Sequence, residues 1–137
     1  MIQYRVPLDG IKFSTNQIYA GVHWAKRKQA KDSIARYAAI FCRPVKKIDA
    51  YPVEISYRFV FGTRALDTLN TAAMAKMLED AFRAIGILKD DSPAYVARTV
   101  LESVAVPSEK RPKKGDAGYR ATYQKKEDYV EITIKSL

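Results

Sequence analysis

Cysteine and histidine are nearly absent: Cys42 and His23 each stand alone in 137 residues. A single thiol excludes an internal disulfide and points to a reducing, cytosolic setting. The same scarcity leaves a Cys/His zinc site short of ligands, and Cys42 reads as a small buried hydrophobe. No apolar run approaches the roughly 20 residues that span a membrane. The opening Met-Ile-Gln-Tyr-Arg-Val lacks a signal-peptide pattern. Acid is also in short supply. Fifteen Asp and Glu face 24 Lys and Arg, a formal net charge of +9. A chain this basic is suited to a polyanion.

The few acids are not spread evenly. Asp67, Asp80 and the pair Asp90-Asp91 gather around one segment that also holds Lys76, and Glu79 beside them reads as a surface acid. Carboxylates clustered within a basic surface imply a bound divalent cation, with the surrounding charge left for the polyanion. Nucleic acid needs both: a metal to steady charge at phosphorus, and Lys and Arg to hold the backbone.

The length and the apolar fraction fit one domain, 1–137, with a full core. Ile2, Tyr4 and Val6 alternate as a strand, and Asp9-Gly10 marks a turn. A helix is expected from about His23 to Phe41, ended by Pro44. Trp24, Ile34, Tyr37, Ala38 and Phe41 form its apolar face. Lys26, Arg27, Lys28, Lys31 and Arg36 cover the remainder.

Val53, Ile55, Tyr57, Phe59 and Phe61 alternate without a break, the clearest strand in the chain, and Gly62 ends it. Asn70 or Thr71 caps a second helix whose stripe is Met74, Met77, Leu78, Ala81, Phe82 and Ile85. Gly86 is its left-handed stop. A third strand follows over Tyr95–Val106, with Val100, Glu102, Val104 and Val106 on one face. The stretch 107–118 reads as a mobile basic loop with Lys110, Arg111, Lys113 and Lys114. Val130, Ile132 and Ile134 share a face of the last strand.

The order β-α-β-α-β-β predicts an α/β (α+β) fold in two layers, with both helices on one face of a small mixed sheet. The last two strands are expected to pair as a long hairpin around the basic loop.

Asp67 and Asp91 flank opposite ends of the second helix. About 15 residues of helix span roughly 22 Å, so a shared metal requires the chain after Gly86 to turn back along that helix. Lys76 and Asp80, four apart, are neighbours on one helix face.

In order and spacing these residues resemble the RusA family of Holliday-junction resolvases, in its phage-type branch. The motif there is Asp-x-Asp-Asn, a Lys six residues on, an Asp four later, a Gly, a hydrophobic pair and Asp-Asp. Here Asp67-Thr-Leu-Asn70, Lys76, Asp80, Gly86, Ile87-Leu88 and Asp90-Asp91 fall at those positions. Ser14-Thr-Asn16, Tyr19 and His23-Trp-Ala-Lys-Arg-Lys28 are similar to the family's N-terminal segment.

The resemblance implies a homodimeric, Mg²⁺-dependent endodeoxyribonuclease, with Mn²⁺ as a substitute, cutting four-way DNA junctions in recombination and repair. It further implies Asp67 and Asp91 as catalytic metal ligands joined by Asp90, and Lys76 as the catalytic lysine. DNA contacts fall to Asn16, Asn70, Lys26, Arg27, Lys28, Lys31 and the Lys110–Lys114 stretch. Phosphate contacts of this kind give affinity without reading bases.

One departure stands out. Leu69 occupies the position of the second motif Asp. An alternative register sets Asp67 on that second Asp and Ala65 on the first, at the cost of the Asn70 match. Either way a carboxylate is lost, and Glu79 or Glu102 are the candidates to replace it. Two other functional classes stay open: a RusA-like DNA- or RNA-binding protein without cleavage, and a basic structural or assembly protein.

Overall fold

The computed structural model describes residues 1–21, 23–43, 47–106 and 127–137. The stretch with Lys110, Arg111, Lys113 and Lys114, and the Pro44 stop, lie outside the described residues. The elements are β1 (Ile2–Pro7), α1 (Thr15–Tyr19), α2 (Trp24–Phe41), β2 (Val53–Phe61), a 3₁₀ turn (Thr68–Thr71), α3 (Ala72–Ala84), β3 (Val96–Ala105) and β4 (Tyr129–Ser136). The class is mixed α/β, as expected. The helix α1 and the 3₁₀ turn are additions that short polar segments do not announce. Among the described residues no helix is long and apolar enough to cross a membrane.

The four strands form one mixed sheet in the order β1-β4-β2-β3. β4 runs antiparallel to both neighbours, and β2 and β3 are parallel. The expected hairpin of the last two strands therefore does not form. β3 takes the parallel edge beside β2, with α3 making the crossover that parallel strands require. β4 enters the centre, and burial explains why. Val130, Ile132 and Ile134 are buried, and each lies in register with an apolar residue on both sides, as in Tyr4↔Ile132↔Tyr57. The residues of β3 aligned with the inward side chains of β2 are Val96, Thr99, Leu101, Ser103 and Ala105. Thr99, Ser103 and Ala105 are small or polar, which suits an edge.

Both long helices cover the same face. Ile34 and Ala38 of α2, and Met74, Leu78 and Phe82 of α3, join Ile55, Tyr57, Phe59 and Phe61 in one apolar core. The other face is polar. Arg58 pairs with Glu102 and Glu131, and Glu54 pairs with Arg98 and Lys135.

The predicted face of α2 is only half right. Trp24 is 69% exposed and Phe41 47% exposed, so both ends of the helix outrun the core. Every residue from His23 to Gln29 is exposed. α3 matches its stripe closely, and Gly86 ends it at φ +86°, a conformation that glycine adopts without strain. Immediately beyond, the amides of Ile87 and Leu88 both donate to Phe82 O, and both side chains are buried. Those two anchors turn the chain back against α3.

Candidate active site

The return beyond Gly86 brings Asp91 to Lys76. Lys76 Nζ lies 2.7 Å from Asp91 Oδ2 and 3.2 Å from Asp80 Oδ1, so one ammonium sits between two carboxylates. Arg83, two turns on, reaches Asp91 at 3.5 Å and Asp90 at 3.6 Å. Lys31 of α2 approaches Asp80 at 3.7 Å. Residues 76, 80 and 83 follow i, i+4, i+7 spacing, opposite the apolar stripe of α3. That spacing was the signal by which Arg83 could have been found.

The hydrogen bond from Lys76 holds the Asp91 carboxyl below its ordinary pKa, aided by the charge of Arg83. The same bond raises the Lys76 ammonium, with Asp80 adding to it. Glu79, on the inner flank of the cluster, goes the other way. Burial raises its carboxyl, and the charges of Asp91 and Asp80 push it further up.

These shifts carry opposite signs for stability. The Asp91 contribution is present above about pH 3.9 and lost as pH falls through its lowered folded pKa. The Lys76 contribution is present below about pH 10.4 and lost as pH rises through its raised folded pKa. Ionised Glu79 costs stability, a cost that begins above about pH 4.3 and is complete beyond its raised folded pKa. Glu79→Gln is therefore expected to melt higher than the parent at pH 7. Thermal melts of the pair should converge below about pH 4; a constant gap down to acid pH would reject burial of the charge as the cause.

The other motif half is built differently. Asp67 precedes the 3₁₀ turn, is exposed, and caps nothing with its side chain. Among the described residues no ion pair or hydrogen bond ties its carboxylate to Asp91, so the fold does not link these two acids directly. What it does link is the N-terminal segment to the motif. Thr15 Oγ1 accepts from the amide of Ala73 at 3.1 Å and lies 3.3 Å from the carbonyls of Leu69 and Asn70. Thr15 thus caps α3 from another element, a role expected of Asn70 or Thr71. It also brings its neighbour Asn16, which is exposed, to the turn containing half-buried Asn70.

The basic residues of α2 are all exposed, but they are not equivalent. Lys28 pairs with Asp32 at 2.9 Å, and Lys31 leans on Asp80. Lys26 and Arg27 have no carboxylate partner among the described residues. Cys42 is buried, and burial pushes its thiol up to about 12, as expected of an inert side chain.

Among the described residues no three Asp, Glu, His or Cys side chains converge as a ready metal cage. Two carboxylates do converge, at the Lys76 ammonium, and a positive charge already stands where they meet. An Mg²⁺ taking these two carboxylates, with water and phosphate completing its shell, would have to displace the ammonium that neutralises them. Asp91 and Asp80 would hold such an ion, with Asp90 adjacent in the chain.

No family model matches the chain, and no curated protein matches it.

Proposed function

We propose that the protein is a RusA-like endonuclease that cuts branched DNA, four-way junctions foremost, with Mg²⁺ and as a homodimer. The observation that carries this reading is the 2.7 Å contact between Lys76 and Asp91, residues separated by a helix end and a turn. The contact joins the helix lysine to the Asp pair beyond Gly86, while Asp67 lies outside it.

Each residue then has a task. Asp91 and Asp80 supply the oxygen ligands, and Asp67 approaches the phosphate from the 3₁₀ turn. Lys76 meets negative charge on the transferring phosphate or on the leaving 3′ oxygen. When bound, Mg²⁺ supplies charge neutralisation at phosphorus and a more acidic attacking water. Lys26 and Arg27 hold backbone phosphates, and Asn16 and Asn70 flank the scissile strand. A two-fold junction is matched by two equivalent sites across a two-fold dimer.

A second reading, a DNA-binding protein of the same kind without cleavage, has its own support. Leu69 is 79% exposed at the position of a motif carboxylate. Asp67 stands outside the ion-pair cluster. A nuclease assay of the parent beside Leu69→Asp separates the two. The expected result is slow junction cleavage in Mg²⁺, raised about 10–100-fold by the added carboxylate, the range over which ligand-shell changes act. No cleavage by the parent would favour the pure binder. Full-rate cleavage with no gain from Leu69→Asp would remove the idea of impairment.

A further inference from the structure

The first turns of α2 carry aromatic surface that the cleavage site does not use. Trp24 is 69% exposed and Tyr19, just across the Gly21 turn, is 84% exposed. His23 Nδ1 accepts from the amide of Ala25, which fixes its ring. That ring lies 5.6 Å from the Trp24 ring, tilted by 30°. Nothing in the described fold packs over this surface, because the helix from His23 to Gln29 stands clear of the core.

The surroundings are cationic. Lys26 and Arg27 follow within one turn, and the first acid on the helix, Asp32, is engaged by Lys28. Beside them a groove of about 320 Å³ is lined by Lys12, Phe13, Lys26 and Gln29 among others. Lys12 also donates to Arg64 O, which ties one wall of the groove to the loop preceding Asp67.

We infer that the overhanging start of α2, Tyr19–His23–Trp24 with Lys26 and Arg27, is a stacking platform for unpaired bases of single-stranded DNA. Flat exposed rings beside cations that have no carboxylate partner among the described residues are the chemistry of such binding: rings stack bases of any identity, and cations follow the backbone. A protein partner with a matching apolar face would leave Lys26 and Arg27 without a counter-charge; a DNA strand supplies one. The inference rests on the proposed DNA binding but not on cleavage.

Trp24 is the only tryptophan beside nine tyrosines, so emission excited selectively in tryptophan reports on this surface alone. Titration with an unstructured oligothymidylate should quench that emission to saturation. Trp24→Ala should weaken oligothymidylate affinity about tenfold, Trp24→Phe should keep most of it, and affinity for a four-way junction should change little. Unquenched emission, or equal oligothymidylate binding by Trp24→Ala, overturns the inference. So does a blue shift driven by protein concentration alone together with a dimer lost in Trp24→Ala, which assigns the face to a second copy. Junction binding that survives while oligothymidylate binding is absent sinks the platform only. Failure to bind any DNA sinks the platform and the proposed function together.

Discussion

Lys76→Met is expected to reduce junction cleavage about 10²–10³-fold, the range seen when one preorganised charge-stabilising donor is removed. Junction affinity should persist, with the salt dependence of binding shallower by about one phosphate contact at most. The geometry makes this a clean substitution. Lys76 lies on the exposed side of α3, away from Met74, Met77 and Leu78. Met keeps an unbranched stem of similar length and the helix preference, and removes the charge with its hydrogen bond to Asp91.

The return loop does not depend on Lys76 for its course. Ile87 and Leu88 stay buried and bonded to Phe82 O, and Arg83 still reaches Asp91. Cleavage should therefore fall without a matching loss of fold, read by single-turnover kinetics beside a thermal melt. Unchanged turnover would take Lys76 out of the chemistry and leave it as a structural tie.

Sequence periodicity foresaw what local physics controls. The stripe of α3, the alternation of β2 and β4, and the stop at Gly86 all follow from spacing and backbone freedom. A return of the chain along α3 was legible only as a requirement for bringing Asp91 to Asp67; the chain does turn back, anchored by Ile87-Leu88, but the contact it makes is with Lys76 and not with Asp67. Three features were not legible. The central place of β4 depends on pairing across more than 60 residues, which no local pattern encodes. Trp24 falls at the right angle for a core face, but angle says nothing of whether the sheet extends that far. Thr15 as the cap of α3 needs a contact between residues 58 apart. The separation of Asp67 from the Lys76 cluster is of the same kind, because motif spacing fixes order along the chain and not distance in space.

Asp91 is the residue on which the proposed metal binding turns. It is held by Lys76 and Arg83, with Asp80 across the same ammonium. Asn at this position keeps the size, and its amide oxygen can still face the two cations. It loses the charge that a divalent cation needs. Asp91→Asn should therefore fold, bind junctions and fail to cut them, with a loss at least as large as that of Lys76→Met.

Direct titration of the DNA-free protein with Mn²⁺ asks the question without relying on turnover. The account predicts saturable binding of one ion per chain, abolished in Asp91→Asn and kept in a variant altered on the far sheet face, such as Glu102→Gln. Mn²⁺ binding that is absent from the parent, or equal in the parent and Asp91→Asn, would contradict it.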